Sequence, residues 1–241
     1  MIIRVCSGFS PDGHRQYGDR FMRSFDRYWP QDVELQIYVE QPTRMPRGAY
    51  RDLWSIPGAQ EFHVKHSVDP MASGRAVRAG WKDKDRRDGY CFKFDAVKFW
   101  KQILIPQAAS DGLDEGDILI WLDADVETFR PISKVDLLDL IPGNAQVSYL
   151  GRAPKHSEIG FWAVRMDGQV ASFLAEMALL YTTDEVFELP EWHSAFVWDT
   201  ARRAAGLREH NLCPPGARGH VWPTTRLAQW TRHDKGARKP R

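Results

Sequence analysis

The spacing of apolar residues near the N-terminus predicts a strand, a helix and a second strand. Residues 2–7 form a short apolar run, and the turn-rich segment 8–13 follows it. A helical face then recurs at Tyr17, Phe21, Phe25 and Tyr28. Residues 34–39 alternate polar and apolar side chains, as a strand does. This order of elements is typical of a parallel sheet.

The clearest strand covers residues 117–122, where a continuous apolar run indicates burial on both faces of a sheet. A helix is predicted over 93–105, with Pro106 ending it. Further along, the pattern predicts strands over 146–150 and 159–164 and helices over 170–181 and 198–205.

Two stretches show little regular pattern. Residues 41–92 are rich in proline, so we expect loops and short elements there, with the mixed charge run 82–88 as a solvated surface. The last thirty residues also lack periodicity and end in a basic tail.

Composition narrows the class of protein. The 241 residues are 43% hydrophobic, which suits one folded domain over 1–241 and excludes disorder for the bulk of the chain. A net charge of +1 argues against a general nucleic-acid-coating protein. No apolar run is long enough for a membrane span, and no signal-peptide pattern precedes the first predicted strand. Cys6, Cys91 and Cys213 are too widely spaced for a disulfide framework, so we expect a cytoplasmic setting.

Two carboxylates, Asp123 and Asp125, come directly after the predicted central strand. Ligands of open α/β sheets bind outside the carboxyl ends of the strands. Alternating carboxylates at that place can bind Mg²⁺ or Mn²⁺, which then neutralises a diphosphate. The Asp-x-Asp pattern is common by chance, and a plain turn after the strand is the other interpretation.

A rarer pattern, His-x-x-Gly-x-x-Lys-Pro, occupies the C-terminal tail at 233–240. Both motifs in this order resemble the GT-A glycosyltransferases, and within them glycosyltransferase family 8, which includes glycogenin and the lipopolysaccharide galactosyltransferases. The resemblance implies an α/β domain of GT-A type, with a mostly parallel sheet flanked by helices. It implies that Asp123, Asp125 and His233 bind Mn²⁺ or Mg²⁺, and that Gly236 and Lys239 hold the diphosphate of the donor. Arg241 stands where the family usually has an aromatic residue.

The resemblance implies further donor contacts. The first strand and its turn, with Ser7, Gly8 and Phe9, occupy the place where this fold holds the nucleotide base. Lys93 opens the helix before the metal strand, where the fold often places a basic residue near the donor. A plain loop and an ordinary surface lysine are the alternative interpretations.

Two segments depart from the family pattern. Family 8 members carry Asn-x-Gly where this chain has Glu158 and Gly160, and an Asp-Gln pair where it has Glu191-Trp192-His193. Glu158, Glu191 and His193 are therefore candidate catalytic residues beside the donor sugar. A surface loop is the alternative for Glu191 and His193.

These observations predict a hexosyltransferase-like enzyme that transfers a sugar from a nucleotide-diphosphate sugar, with UDP favoured. The resemblance suggests retention of the anomeric configuration. Residues 1–130 would bind the nucleotide sugar, 131–231 would face the acceptor, and 232–241 would close over the donor.

Two other functions stay open. A nucleotidyltransferase shares the fold class but usually carries a basic glycine-rich loop after the first strand, where this chain has Gly8 and Gly13 but no lysine. A non-catalytic sugar- or nucleotide-binding module would explain the ten tryptophans.

The acceptor is a saccharide, a protein or a modified base in DNA of the kind that some phages glycosylate. An aromatic and basic cluster could contact a polyanion, or it could fold as a lid around the donor; it comprises Trp222, Arg226, Trp230 and Arg232.

Overall fold

Nine strands form two sheets in the computed structural model, which describes residues 1–41, 48–76 and 89–233. In chain order the strands are β1 (Ile3–Phe9), β2 (Glu34–Val39), β3 (Ala49–Asp52), β4 (Ile118–Leu122), β5 (Val126–Thr128), β6 (Val147–Tyr149), β7 (Phe161–Arg165), β8 (Glu209–Asn211) and β9 (Thr231–His233). The central sheet has the strand order β3-β2-β1-β4-β7-β6-β8, and β5 pairs with β9 separately.

The central sheet is mostly parallel. β1 runs parallel to β2 and to β4, β2 is parallel to β3, and β6 is parallel to β8. Among the strands that the structure describes in this sheet, only β7 is reversed, since it pairs antiparallel with both β4 and β6. The predicted α/β domain with a mostly parallel sheet is confirmed, whereas its division into two halves and a closing tail stays a prediction.

Eight α-helical segments accompany the strands within the described residues. They are α1 (Pro11–Gly13), α2 (Asp19–Tyr28), α3 (Ala59–His66), α4 (Ala96–Phe99), α5 (Lys101–Ala109), α6 (Lys134–Leu140), α7 (Gly168–Thr182) and α8 (Ser194–Ala205). A π-helical stretch, His14–Gly18, joins α1 to α2, and short 3₁₀ turns occur at Leu53–Ser55, Phe92–Phe94, Glu185–Glu188, Trp222–Thr224 and Arg226–Gln229.

The sheet separates two hydrophobic layers, and β4 contributes to both. Leu119 and Trp121 pack into the layer that also contains residues of α5, α7 and α8. Ile118, Ile120 and Leu122 point the other way, into the layer with residues of α2 and α6. This alternation confirms the burial on both faces that the apolar run predicted.

Most of the predicted elements are present. β2 has the predicted bounds, and β1, β4, β6 and β7 lie within two residues of theirs. α7 matches its prediction closely, whereas α8 begins four residues earlier than expected. The stretch 41–92 contains β3 and α3, and the charge run 82–88 lies outside the described residues.

Pro106 does not end its helix, contrary to the prediction. The residues expected to form one helix form α4 and α5, and Pro106 lies inside α5. α5 continues because Ile103, Leu104 and Ile105 are buried against the core, which outweighs the missing amide of the proline.

The last thirty residues contain regular elements that their sequence pattern did not reveal. β9 and two 3₁₀ turns lie there, and the sequence analysis missed β5, β8 and α6 as well. The missed strands have three residues each, too few to show alternation. α6 begins at a capping box formed by Ser133 and Asp136, a signal that the sequence did contain.

Within the described part of the chain, none of the helices combines the length and the apolar character needed to cross a membrane.

The central strand gives a test of the fold. Leu119 is completely buried in β4, so Leu119→Ala leaves a cavity and should lower the free energy of unfolding by about 2–5 kcal/mol. Leu179 is 54% exposed on α7, and Leu179→Ala should change it by less than about 1 kcal/mol. Urea unfolding followed by tryptophan fluorescence measures both, and equal effects would contradict this packing.

Candidate metal centre

Asp123 lies just past the end of β4, where its backbone and side chain are both fixed. Its amide donates to the carbonyl of Gly160, 2.8 Å away, which continues the pairing of β4 with β7. Its Oδ1 accepts hydrogen bonds from Trp121 Nε1 at 2.9 Å and from Gln102 Nε2 at 3.0 Å. One carboxylate oxygen is therefore held by neighbouring side chains while the other, Oδ2, lies 3.6 Å from His233 Nε2.

β9 brings His233 to these carboxylates. His233 pairs with Val126 in the β5–β9 ladder, and Val126 directly follows Asp125 in the chain. As a result, His233 Nε2 lies 3.0 Å from Asp125 Oδ1. Trp222 packs edge-on against the imidazole, with ring centroids 4.9 Å apart. Residues separated by more than a hundred positions thus meet through two short strands.

The other ring nitrogen of His233 contacts Glu158. His233 Nδ1 lies 3.2 Å from Glu158 Oε1, and the Glu158 side chain is completely buried. This carboxylate also contacts His220 Nδ1 at 3.1 Å and Arg152 Nη1 at 3.4 Å. The sequence placed Glu158 beside the donor sugar, but these contacts favour a role behind His233.

Gly160 leaves the space that the imidazole fills. A Cβ at this position would lie 2.6 Å from His233 Cε1 and 3.2 Å from Asp123 Oδ2. Any larger residue would therefore push His233 or Asp123 from its place.

The carboxylates favour the charged form of His233. Burial alone would lower its pKa, but the hydrogen bonds to Asp125 and Glu158 and the charge of Asp123 outweigh burial and raise the pKa of His233 to about 9. Without a cation in the site, His233 is protonated at neutral pH.

Asp123, Asp125 and His233 fit a divalent ion. One ligand atom from each lies within 4.8 Å of the others. Two carboxylates and one imidazole suit Mn²⁺, which accepts a nitrogen ligand more readily than Mg²⁺. The Glu158 contact to Nδ1 is the usual outer-shell partner of a metal-binding histidine.

A second titratable cluster is centred on Glu191. Its Oε1 lies 3.1 Å from Lys93 Nζ, and its Oε2 lies 2.9 Å from His193 Nε2 and 3.2 Å from His156 Nε2. Burial alone would raise the pKa of Glu191, but hydrogen bonds from His156, His193 and Lys93 hold it well below its usual range. Burial in turn lowers the pKa of His193, against the pull of Glu191. At neutral pH the cluster therefore contains an ionised Glu191.

One cavity of about 660 Å³ connects the two clusters. It is lined by Asp123, Lys93, Glu191 and His193, among other residues. Its volume is typical of a small-molecule site. Gln102 spans the clusters, because its amide nitrogen donates to Asp123 and its carbonyl accepts from the Ser194 hydroxyl. Sequence reasoning missed Gln102, His156 and His220, which carry no motif of their own.

The three residues proposed to hold the nucleotide base, Ser7, Gly8 and Phe9, differ in their access to a cavity. Ser7 is completely buried within β1, and Gly8 packs so closely that a Cβ would lie 2.5 Å from Ile105 Cδ1. Phe9 stacks on His14 and lines a small cavity, of about 130 Å³, at the ends of β1 and β2. Of the three predicted residues, Phe9 alone faces a cavity there.

Tyr17, on the π-helical stretch, lies near the metal candidates. Burial and the negative charges of Asp125 and Asp123 raise its pKa to about 12. The sequence placed Tyr17 on an ordinary helix face, although π-helical turns are frequent at functional sites.

The C-terminal candidates fall in two groups. Gly236 and Lys239 lie outside the described residues. Trp222 and Trp230 are both buried, whereas Arg226 contacts Asp139 and Arg232 contacts Glu127. The tryptophans therefore do not form an exposed stacking surface, and the arrangement agrees better with a folded segment beside the site.

Comparison with solved structures shows the fold. A glycosyltransferase involved in the glycosylation of the major capsid of PBCV-1 is similar with a TM-score of 0.53 and 12% sequence identity, over 99% of this chain and 96% of that one. Mouse xyloside xylosyltransferase 1 gives a TM-score of 0.48 and 9% identity, over 88% and 86% of the two chains. At these identities we draw from the first structure a shared fold alone, and nothing from the second.

Sequence comparison adds nothing to this result, since neither the protein-family models nor the curated proteins match the chain.

Gly160→Ala tests the packing of the centre. The added methyl group has no room beside His233, so we expect the free energy of unfolding to fall by about 1–3 kcal/mol. Gly143 has open space around the corresponding position, and Gly143→Ala should change it by less than about 1 kcal/mol. Chemical unfolding of both variants measures the difference, and an unaffected Gly160→Ala would contradict the arrangement.

The raised pKa of His233 predicts proton release on metal binding. A bound imidazole must be neutral, so Mn²⁺ should displace about one proton at pH 7, and its affinity should rise about tenfold per pH unit between pH 6 and 8. Calorimetry in two buffers of different ionisation enthalpy counts the protons. His233→Ala should bind more weakly and release almost none, and proton-free binding by the unaltered protein would refute the assignment.

Proposed function

We propose that the chain is a divalent-metal-dependent glycosyltransferase that uses a nucleotide-diphosphate sugar. The observation that carries the proposal is the meeting of Asp123, Asp125 and His233 within 4.8 Å at the carboxyl end of β4, beside the large cavity. The shared fold with a glycosyltransferase supports it. Membership of family 8 rests on the two sequence motifs.

In this proposal Asp123, Asp125 and His233 hold the ion, for which Mn²⁺ is the better fit. An ion held there would stabilise the negative charge that develops on the leaving diphosphate. The small cavity beside Phe9 would hold the base, with UDP favoured by the resemblance. Gly236 and Lys239 are proposed diphosphate contacts on the same ground.

The Glu191 cluster supports a place for the sugar across the cavity from the metal residues. Glycosyl transfer builds positive charge on the sugar ring, as in glycoside hydrolysis, and an ionised carboxylate facing the cavity stabilises it. Glu191 is a weak base because three donors hold it, so we assign it this electrostatic role and hydrogen bonding to sugar hydroxyls. Lys93 and His193 fix its orientation.

A donor screen tests the proposed reaction without knowledge of the acceptor. UDP-, GDP- and CMP-sugars are incubated with and without Mn²⁺, and release of the nucleotide and of free sugar is measured. Metal-dependent release of a nucleoside diphosphate supports sugar transfer. With pyrophosphate added, formation of a nucleoside triphosphate and a sugar 1-phosphate would indicate a nucleotidyltransferase running in reverse, and binding without breakdown would indicate a binding module.

Asp125→Asn should lower metal-dependent donor breakdown by about a hundredfold or more, because a ligand on the ion stabilises the leaving group by several kcal/mol. Asp139→Asn is the control, since Asp139 is an exposed carboxylate on α6 that pairs with Arg226. Thermal unfolding confirms that both variants fold. Full activity of folded Asp125→Asn would remove Asp125 from the site.

A further inference from the structure

Glu158 lies in the lining of the large cavity, but its carboxylate is turned toward partners within the protein. Its side chain is completely buried, and both carboxylate oxygens have partners within the protein. Oε1 lies 3.2 Å from His233 Nδ1 and 3.1 Å from His220 Nδ1, while Oε2 lies 3.4 Å from the Val221 amide and 3.4 Å from Arg152 Nη1. A carboxylate buried in this way is tolerated because charged and polar groups compensate its charge.

Its partners are themselves anchored. Arg152 donates to the carbonyl of Gly219 at 2.6 Å and to that of His156 at 2.8 Å. The amide of Glu158 donates to the carbonyl of Leu150 at 2.9 Å. The carboxylate is thus fixed from its own loop and from the 219–221 segment, and it has little freedom to move toward the cavity.

The contact to His233 sets which nitrogen can bind a cation. A carboxylate accepts hydrogen bonds and donates none when ionised, so Nδ1 of His233 must carry the proton in this contact. When the ring is neutral, its lone pair is then on Nε2, the atom that lies 3.0 Å from Asp125 Oδ1 and 3.6 Å from Asp123 Oδ2. Gly160 closes off the ring edge between these contacts.

We infer that Glu158 is a positioning residue for the metal centre: it holds the imidazole of His233 by Nδ1 so that Nε2 is presented to the ion. This role replaces the place beside the sugar that the sequence suggested, and it rests on the proposed metal role of His233. Glu158 acts through His233 and does not contact the ion or the substrate.

The test is a double-mutant cycle on Mn²⁺ affinity, measured by calorimetry without donor or acceptor. Glu158→Gln keeps the shape of the side chain but loses the charge, and outer-shell changes of this kind typically weaken metal binding about 10- to 100-fold. His233→Ala should weaken it as well. Combining the two should cost no more than His233→Ala alone, because Glu158 acts only through the imidazole.

The preference of the site for Mn²⁺ over Ca²⁺ gives a second measurement, which a general loss of folding stability would not change. Ca²⁺ is bound by oxygen ligands, so Glu158→Gln should weaken Mn²⁺ binding more than Ca²⁺ binding.

Asp117→Asn is the matched control, since Asp117 is a buried carboxylate at the other end of β4 that accepts hydrogen bonds from the amides of Ile2 and Asp114. It should lower stability and leave Mn²⁺ affinity unchanged. Glu158→Asp, which keeps the charge for Arg152, serves if Glu158→Gln does not fold, and its loss should again vanish in the His233→Ala background.

The outcomes separate this inference from the proposed function. Unchanged Mn²⁺ affinity in folded Glu158→Gln, or losses that add to those of His233→Ala, would overturn the positioning role while leaving the metal site in place. A native protein that binds no Mn²⁺ would overturn both. Mn²⁺ binding with the expected cycle, but no breakdown of any nucleotide sugar, would refute sugar transfer and leave the role of Glu158 standing.

Discussion

The pairing of β5 with β9 is the contact on which the candidate centre depends. β5 follows the two aspartates directly, so whatever pairs with β5 is delivered to them. The pair is only three residues long, and a ladder of this size has little stability of its own. It is held by burial of its surroundings: Thr231 is buried, and Trp222 donates its indole N–H to the Thr231 backbone carbonyl and hydroxyl. The C-terminal segment is therefore part of the core and of the site at once.

The same contact concentrates charge. Three carboxylates, those of Asp123, Asp125 and Glu158, surround one imidazole, and the imidazolium form of His233 partly balances them. Mn²⁺ bound beside Asp123 and Asp125 would replace this single positive charge by two. The imidazolium thus compensates part of the negative charge of the buried Glu158 and of the half-buried Asp123 and Asp125.

The parts of the site that follow from local pattern were visible in the sequence, and the parts that follow from distant contacts were not. Asp123 could be located because a fully apolar strand precedes it. His233 was found only through a motif, since the strand that carries it has no alternation to read. The contacts of Glu158 could not be predicted, because they involve Arg152 on its own loop and His220 from another segment. The prediction that Pro106 ends its helix failed for a related reason: the burial of neighbouring residues outweighed the low helix propensity of proline.

The single reversed strand, β7, has a consequence for how the molecule can vary. Because β7 runs opposite to β4, it begins where β4 ends, and the loop before it, at 151–160, arrives at the aspartates from the side of the sheet remote from β1. The small cavity beside β1 and the wall of the large cavity therefore belong to opposite flanks joined at β4. Apart from Arg152, Glu158 and Gly160, whose contacts hold the His233 side chain, residues of this loop can be exchanged without disturbing the parallel strands of the other flank. Under the proposed function, this layout would let new sugar or acceptor preferences arise by changes in that loop while the proposed nucleotide site and metal ligands stay as they are.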